Sequence, residues 1–485
     1  MKNSIVEIIA ENAVNNPDRL CIVDGRGEFT YADIWHAALR AAYVLQELGV
    51  HKDHCVLAEC TQNADYMICN FACSLLGAYF VPVEHKATVF NVQAIYEETD
   101  AVLLICEKAY DFSANIISYG EVVKVEGAQL EKWNFPEGDD TAEILYTTGT
   151  TGKSKGIEMC HKNNVAIAEN ISSGVEMREG NVELIPLPLS HAHGLRCSYA
   201  DFYKNGTVVI TDGVTRVLEI YQLIKKYHVT ALDLSPTAAS VLLKMSRGRF
   251  AEFNDQLEYI QIGTAAVPEE LKEELCRQFP DVRIYNVYAS TESGRSCALN
   301  FNSDDDKKYC IGFPNRTVKF IITDAERNEI QSDETHTGLL ACKSPTNMKG
   351  YWKQPELTAQ IMQNGFVYTN DEAYIDERGF IFVLGRKDDI INYKGIKIAP
   401  EEIEEIVIQY EEIKDCACIP VADQVAGQVP KIFLVLKEEE KFDRAAFARF
   451  MEEHIDANKI PKYIEVIEKI PRAFNGKIQR KKLMV

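Results

Sequence analysis

Short apolar segments alternate with amphipathic helical segments through much of this sequence. Apolar segments of a few residues are typical of strands, whereas apolar spacings of three and four residues indicate helices. Because strands that alternate with helices form mostly parallel sheets, the pattern predicts a doubly wound α/β fold. The first segments are a helix at 4–15, a strand at 20–23, a helix at 30–49, strands at 55–60, 79–83 and 101–106, and helices between these strands.

The alternation recurs from Val182 to Tyr285, which predicts a second α/β unit. Residues 310–352 are rich in strand-forming residues and poor in helical periodicity, so we expect a small β-barrel-like part or sheet there. From Ile390 onward strands and helices mix over about a hundred residues, which is a typical size for a compact α+β domain. We therefore predict a large N-terminal domain at 1–385, a hinge at 386–389 and a small mobile domain at 390–485.

The chain carries a net charge of −21. Proteins that bind nucleic acid need a basic surface, so this balance argues against nucleic acid as a partner. An anionic ligand must therefore meet a local basic patch. The segment 459–485 is such a patch, since lysines and arginines greatly outnumber its two glutamates.

Tyr66–Val83 is an uncharged stretch nearly as long as a membrane-spanning helix. Asn70, Ser74, Gly77 and Pro82 interrupt it, so we interpret it as a buried helix and a core strand, with no integral membrane segment. The fourteen cysteines show neither a Cys-x-x-Cys pair nor zinc-ligand spacing, and no signal peptide is evident. These features favour a cytoplasmic protein.

The densest group of potential phosphate ligands is Tyr146–Gly156, with the sequence YTTGTTGKSKG. Glycines let backbone N–H groups turn toward an anion, hydroxyls donate hydrogen bonds and lysines supply positive charge. The stretch therefore predicts a polyphosphate-binding loop. The residues expected to contact the phosphates are Thr147, Thr148, Gly149, Thr150, Thr151, Gly152 and Lys155.

Two other motifs overlap this loop. Gly152-Lys153-Ser154 is similar to the end of a Walker A loop, but Thr147 stands where that pattern has glycine. The spacing of Gly152, Ser154 and Gly156 also matches the nucleophile elbow of hydrolases. Both motifs require a helix directly after the loop, whereas Ile157–Cys160 has strand character. A phosphotransferase and a serine hydrolase stay open as less favoured alternatives.

The loop resembles the signature of the adenylate-forming superfamily, which includes acyl-CoA synthetases, adenylation domains and luciferases. Thr148 replaces the serine that is usual there, and Ser154 replaces a proline. Further stretches match motifs of this superfamily in the same order, so the resemblance covers essentially the whole chain. It implies ATP, Mg²⁺ and a thiol, with coenzyme A as the first candidate for the thiol.

Pro188–Gly194 resembles the superfamily loop whose histidine guards the carboxylate pocket, and the histidine at that position is His191. The neighbouring His193 is interpreted as structural. A metal site at both histidines is an alternative, and it is disfavoured because no third His or Cys ligand is recognised nearby.

Two stretches resemble the adenine and phosphate contacts of the superfamily. Gly263–Pro268 is similar to a glycine-led turn that lies along adenine, although a purely structural turn has the same appearance. In Asn286–Gly294, the resemblance implies that Tyr288 stacks on adenine, Thr291 contacts the α-phosphate and Glu292 binds Mg²⁺. An aromatic face suits a base, and a hard divalent ion prefers carboxylate and phosphate oxygens.

The superfamily's ribose and hinge motifs are also present. Asp371 is similar to the aspartate that accepts hydrogen bonds from both ribose hydroxyls, and Arg386 to the arginine that assists it. Asn370 replaces the glycine that usually precedes this aspartate. Asp388 falls at the hinge position, and Gly395 lies where the pantetheine arm of coenzyme A passes.

Pro471–Lys477 resembles the C-terminal motif that delivers the adenylation lysine. Lys477 would bridge the substrate carboxylate and the α-phosphate, offsetting charge as a pentacoordinate phosphorus forms. A lysine in a basic tail is the alternative reading. The resemblance implies an AMP-forming acid–thiol ligase that makes an acyl-adenylate and then a coenzyme A thioester, or else loads a carrier-protein thiol.

The identity of the acid is the least constrained feature. Relatives that activate amino acids usually place an aspartate near the motif of His191, and residues 186–194 contain no acid. Asp233 lies in a strand-like run and is expected to point away. We therefore expect an acid with an uncharged aliphatic or aromatic tail.

Overall fold

The structure is a computed structural model that describes residues 2–85, 87–124, 127–147, 155–303, 309–393, 396–423, 427–438, 442–455, 459–472 and 476–484. Its α-helices are α1 Ile5–Asn15, α2 Tyr31–Glu47, α3 Ala64–Leu76, α4 Val89–Glu98, α5 Tyr119–Val123, α6 His161–Gly174, α7 Ala192–Tyr203, α8 Val217–Lys226, α9 Pro236–Ser246, α10 Glu269–Gln278, α11 Pro355–Ile361, α12 Pro400–Val407 and α13 Arg444–His454. Short 3₁₀ helices lie at Arg249–Phe253 and Arg480–Leu483.

The strands are β1 Leu20–Asp24, β2 Gly27–Thr30, β3 Cys55–Glu59, β4 Tyr79–Val83, β5 Leu103–Ile105, β6 Ile116–Ile117, β7 Thr141–Thr147, β8 Lys155–Cys160, β9 Val182–Ile185, β10 Thr207–Ile210, β11 Ala231–Leu234, β12 Tyr259–Ile262, β13 Arg283–Ser290, β14 Gly294–Asn300, β15 Cys310–Pro314, β16 Lys319–Thr323, β17 Gly338–Lys343, β18 Gly350–Tyr351, β19 Met362–Gln363, β20 Phe366–Ile375, β21 Ile381–Arg386, β22 Ile391–Tyr393, β23 Ile396–Ile398, β24 Ile413–Asp423, β25 Gly427–Leu436 and β26 Tyr463–Val466.

The larger of the two big sheets contains the second predicted α/β unit. Its strands β13, β12, β11, β9, β10 and β1 lie side by side and run parallel, as predicted. β1 joins this sheet by pairing Ile22 with Val208, although it precedes the strands of the other sheet in the sequence. The sequence of an apolar strand does not indicate which strand it pairs with. The alternation of strands and helices therefore could not predict that β1 pairs with β10.

The second big sheet has the order β18-β8-β7-β4-β3-β5-β6, and its strands from β7 to β6 run parallel. The prediction for Tyr66–Val83 is confirmed, because buried α3 leads directly into buried β4. In the described part of the chain, every helix is too short or too polar to cross a bilayer. Helices α1, α2, α3, α6 and α7 share one apolar core with strands of both sheets.

The region expected to be barrel-like is an antiparallel extension of the larger sheet. β14 pairs with both β13 and β15, and the strand path continues through β21, β20 and β17 to β16. Within the ranges that the structure describes, this path ends at β16 and does not close into a barrel. The prediction of a strand-rich part at this position is confirmed. Its described strands form an open sheet and not the expected barrel-like closure.

The C-terminal part is an α+β unit with its own apolar core. Strands β22 to β26 form a five-stranded sheet covered by α12 and α13, as the sequence pattern predicts. Core residues include Ile391, Ile403, Leu434 and Phe447. β21 ends at Arg386 and β22 begins at Ile391, so most of the predicted junction at 386–389 lies in the connection between these two strands. The domain boundaries themselves stay a prediction.

Candidate functional site

Three of the motifs lie just beyond the carboxyl ends of parallel strands. His191 follows β9, Gly263 follows β12, and Thr291 and Glu292 follow β13. This edge is where open α/β sheets bind their ligands. A cavity of about 2610 Å³ lies there. The predicted site residues that line it are Lys155, His191, Tyr288, Thr291, Glu292, Asp371, Arg386, Asp388 and Lys477.

Most of the predicted phosphate loop lies outside the described residues. Thr148, Gly149, Thr150, Thr151 and Gly152 lie outside the described residues, as does the predicted coenzyme A contact Gly395. The two ends of the loop are defined, because Thr147 in β7 pairs with Lys155 in β8 across the antiparallel ladder. The loop therefore starts and returns at one point on the cavity wall.

Gly156 shows why a glycine is needed where the loop returns. A Cβ at this position would lie 3.0 Å from both Ile144 and the ring of Tyr146, and 3.1 Å from Trp352. Trp352 follows the short strand β18, which pairs with β8 beside the loop. The close approach of this strand leaves no room for a side chain at Gly156.

Tyr288 and Arg386 bracket the carboxylate of Asp371. The Tyr288 hydroxyl donates to Oδ2 of Asp371, and Nη1 of Arg386 lies 3.3 Å from Oδ1. Burial raises the pKa of Asp371, while Arg386, the Tyr288 hydroxyl and Lys477 oppose this rise. The carboxylate thus has partners that stabilise its charged form.

The backbone before Asp371 explains the glycine that relatives usually have there. Asn370 adopts a φ of 64°, in the left-handed region that glycine enters without strain. Asparagine is one of the few other residues that tolerate this conformation. The replacement therefore keeps the turn, and the backbone carbonyl of Asn370 accepts a hydrogen bond from the N–H of Lys387.

Glu292 lies in the tight turn between β13 and β14. Its Oε1 accepts a hydrogen bond of 3.0 Å from the hydroxyl of Tyr351. Its other carboxylate oxygen has no hydrogen-bond partner among the described residues, and the side chain lines the cavity. A carboxylate oxygen that faces an open cavity is a suitable ligand for Mg²⁺, so Glu292 fits the predicted metal.

Tyr351 and Arg196 are site residues that sequence reasoning missed. Besides donating to Glu292, Tyr351 has the ammonium of Lys155 5.6 Å from its ring centroid. Arg196 is buried and directs two guanidinium nitrogens at the carbonyl oxygen of Thr291, each at 3.4 Å. Arg196 follows the predicted His191 motif by one helical turn, which was the available signal, whereas Tyr351 carried none.

Lys477 belongs to the C-terminal segment and is exposed. Burial raises the pKa values of both Asp371 and Asp389, and the nearby charge of Lys477 is one of the effects that oppose this rise. The segment is fixed three residues later by buried Arg480, whose guanidinium pairs with Glu404 at 2.6 Å and with Glu401 at 2.5 Å on α12. An exposed ammonium is thus held near Asp371 and Asp389 by a buried ion pair of the same segment.

His191 and His193 differ in their surroundings. His191 caps the N-terminus of α7, and burial lowers its pKa while nearby Glu84 opposes the change. His193 Nε2 lies 2.8 Å from Oδ1 of Asp233. Asp233 therefore does not point away, as its strand-like context predicted, but contacts a residue that lines the cavity.

The metal alternative also needs correction, because Cys197 and Asp233 give His193 two potential co-ligands within 4.8 Å. Sequence reasoning overlooked Cys197, which lies one helical turn after His193. A thiol must lose its proton to bind a metal, whereas burial and Asp233 raise the pKa of Cys197. Arg295 also places Nη2 3.6 Å from Sγ, which repels a cation. The geometry therefore favours a hydrogen-bonded group of His193, Cys197 and Asp233 over a metal site.

The sequence model of AMP-binding enzymes matches residues 9–352, and that of the AMP-binding enzyme C-terminal domain matches residues 402–477. The long-chain-fatty-acid–CoA ligase of Bacillus subtilis (strain 168) is 30% identical over 531 residues, covering 99% of this chain and 94% of that protein. Peroxisomal OPC-8:0-CoA ligase 1 of Arabidopsis thaliana is 27% identical over 480 residues, covering 94% of this chain and 88% of that protein.

A solved structure shows the same fold. The o-succinylbenzoate coenzyme A synthetase MenE of Bacillus subtilis, in complex with ATP and magnesium ion, matches with a TM-score of 0.88 and 25% sequence identity over 99% of both chains. The family match spans most of the large part and most of the C-terminal unit. The chain belongs to the family of AMP-binding enzymes.

Proposed function

We propose that this protein activates a carboxylic acid with ATP and Mg²⁺ and then transfers the acyl group to coenzyme A. In the first step a carboxylate oxygen attacks the α-phosphorus, giving an acyl-adenylate and pyrophosphate. In the second step the thiol attacks the acyl carbonyl, and AMP leaves. The observation that best supports this proposal is that one cavity is lined by residues from distant parts of the chain, namely Glu292, Asp371 and Lys477. As a family member whose relatives are CoA ligases, the protein is an AMP-forming acid–thiol ligase.

The nucleoside would bind at the wall formed by the β13 turn and the β20–β21 pair. Asp371 would accept hydrogen bonds from the ribose hydroxyls, with Arg386 beside it. The ring of Tyr288 would pack against adenine, together with the turn that begins at Gly263. The position of Asp371 between Tyr288 and Arg386 supports this assignment.

The triphosphate would lie across the loop that joins β7 to β8. In this proposal Lys155 and the loop residues 147–152 contact the phosphates, and Thr291 contacts the α-phosphate. Glu292 would hold Mg²⁺, which offsets phosphate charge when it is bound. The hydrogen bonds of Tyr351 to Glu292 and of Arg196 to the Thr291 carbonyl would keep this turn in position.

The reacting carboxylate would lie between His191 and Lys477. Lys477 would stabilise negative charge on the carboxylate and the α-phosphate as the bond forms. His191 would border the pocket for the acid. No enzyme nucleophile is needed, since positioning and charge stabilisation are sufficient for attack by a carboxylate.

The second step would use a different orientation of the C-terminal unit. We propose domains at 1–385 and 390–485 with a hinge at 386–389, in which Asp388 absorbs the backbone change. Gly395 would then border the path of the pantetheine arm. The separate apolar core of the C-terminal unit supports movement as one body.

We also propose a cytoplasmic location. None of the fourteen cysteines, all of which lie in the described ranges, forms a disulfide, and all but Cys276 are buried. Cysteines in this number without a disulfide are typical of a reducing compartment.

The proposal is tested by incubating the purified protein with ATP, Mg²⁺ and a panel of carboxylic acids of increasing length and ring content. We expect pyrophosphate release that depends on the acid, followed by AMP and an acyl-CoA when coenzyme A is added. A thioester formed only with a carrier protein would identify the other acceptor. Release of ADP, or hydrolysis without ATP, would contradict the proposal.

A further inference from the structure

His193 and Asp233 form a buried pair on the wall of the cavity. Asp233 is fully buried in the centre of the larger sheet, and His193 lines the cavity in front of it. A carboxylate can only accept a hydrogen bond, so the 2.8 Å contact fixes the proton of the imidazole on Nε2. The other ring nitrogen, Nδ1, has no hydrogen-bond partner among the described residues.

The orientation of the His193 ring is fixed by close packing. A Cβ at Gly263 would lie 2.3 Å from Cε1 of His193 and 2.6 Å from Val287. The absence of a side chain at Gly263 is thus what admits the ring. The ring therefore packs against the backbone of Gly263, and the contact with Asp233 holds its Nε2.

A second polar atom next to this ring also lacks a partner. Thr264 has a φ of 76°, an unusual conformation for a β-branched residue, and such strain is concentrated at functional sites. Its hydroxyl oxygen is buried and has no hydrogen-bond partner in the described parts of the chain. Buried polar groups in folded proteins usually have a hydrogen-bond partner, so this hydroxyl is a suitable contact for a polar group of a ligand.

We infer that the acid carries a hydrogen-bond donor on its tail, a hydroxyl or an amine, and that Nδ1 of His193 accepts its hydrogen bond. This inference rests on the proposed function and specifies its substrate. With Nε2 bonded to Asp233, Nδ1 is the ring atom left to accept a hydrogen bond, and the buried Thr264 hydroxyl offers a second polar contact. A carboxylate on the tail has no donor for Nδ1. The inference replaces the expectation of an apolar tail, which assumed that Asp233 points away from the site.

Matched acids test this inference with the full-length enzyme. Acid-dependent pyrophosphate release is measured for straight-chain alkanoic acids and for the ω-hydroxy, ω-amino and ω-carboxy acids of the same lengths. Phenyl and para-hydroxyphenyl alkanoic acids form a second matched pair. We expect kcat/KM to favour the hydroxy or amino acid by about 10- to 100-fold at one tail length, because only that length reaches Nδ1.

Two variants separate recognition from a purely structural role. His193→Phe keeps a planar ring but removes the acceptor, so it should bring the ratio of kcat/KM for the hydroxy or amino acid to kcat/KM for the alkanoic acid close to one. Asp233→Asn removes the charge behind the ring, so it should reduce the preference for the amino acid more than that for the hydroxy acid. Leu218→Ala, a change at an exposed residue, is the control and should leave the ratios unchanged.

The outcomes distinguish this inference from the proposed function. If acids are adenylated but the alkanoic or ω-carboxy acid is preferred at every length, the inference is wrong and the proposed function stands. A preference that persists in His193→Phe also overturns it. If no acid supports pyrophosphate release, the proposed function fails and the inference fails with it. Should His193→Phe not fold, the ratios of the unmodified enzyme and Asp233→Asn still decide.

Discussion

Two parts of the molecule face the same cavity but are built differently. One is the wall proposed to bind the nucleotide, formed by Tyr288, Glu292, Asp371 and Arg386, and the other is the C-terminal segment 476–484. On the wall, each functional group is held by side chains from neighbouring elements, as Asp371 is held by Tyr288 and Arg386. On the segment, Lys477 is exposed, and the buried contact that fixes the chain is made by Arg480 instead.

This difference indicates two ways to place a charge in a site. A group held on a rigid sheet is preorganised and costs no reorganisation during the reaction. A group on a separate unit can be brought in for one step and removed for another. The wall is therefore expected to serve both half-reactions, whereas Lys477 is expected to serve only the first.

The largest predicted effect separates the two regions directly. Lys477→Ala should lower acid-dependent adenylation by about 100- to 1000-fold, because it removes a charge that acts in the transition state. Conversion of supplied acyl-adenylate and coenzyme A to thioester should stay close to that of the unmodified enzyme. ATP–pyrophosphate exchange measures the first step and AMP release measures the second.

Lys469→Ala is the matched control, since Lys469 is an exposed lysine of the same basic patch that does not line the cavity. Equal loss of both half-reactions in Lys477→Ala, with the fold intact, would show that the segment is not specific to adenylation.

The second prediction concerns the wall. Glu292→Gln keeps an oxygen that can accept the Tyr351 hydrogen bond, but it loses the charge that balances a divalent ion. The Mg²⁺ concentration for half-maximal activity should rise by about 10- to 100-fold, and excess Mg²⁺ should restore part of the rate. Glu356→Gln, on an exposed turn of α11, is the control. An unchanged Mg²⁺ dependence would remove Glu292 from the metal site.

The same contrast explains what the sequence could and could not predict. The parallel sheets, the buried helix α3 and the C-terminal α+β unit follow from local patterning, because burial imposes a period on each element. The pairing of β1 with β10 and the open path to β16 depend on contacts between distant segments. Local patterning has no access to such contacts.

The site shows a similar division. Glu292, Asp371 and Lys477 were identified because each lies in a short motif, and the structure places them at one cavity. Tyr351, Arg196 and Asp233 were missed or misread, because each acts through one tertiary contact. A single residue that supports another carries no spacing signal of its own.

The third prediction tests whether the C-terminal unit must turn. The N–H of Asp388 makes no hydrogen bond within the described residues, so Asp388→Pro removes no hydrogen bond from the present orientation, in which Lys477 lies near Asp371. Proline fixes φ, so the variant should retain adenylation but slow thioester formation by about tenfold. Asp388→Ala, which leaves φ free, is the control and should retain both steps. Slowing of adenylation alone would contradict a hinge at this position.

The smallest predicted effect is a shift in pH dependence that arises within the wall. Burial raises the pKa of Asp371, and the Tyr288 hydroxyl opposes this rise by donating a hydrogen bond to the charged form. Tyr288→Phe keeps the ring that would stack on adenine but removes that donor, so the pKa of Asp371 should rise further. A protonated Asp371 accepts ribose hydrogen bonds poorly. The acidic limb of kcat/KM for ATP, measured with saturating acid and Mg²⁺, should therefore move to higher pH.

Tyr374→Phe is the control for this shift. Tyr374 lies in β20, the strand of Asp371, and stacks on Phe382, so its loss should leave the acidic limb in place. A limb that moves to lower pH in Tyr288→Phe would mean that the hydroxyl does not stabilise the carboxylate on which ATP binding depends.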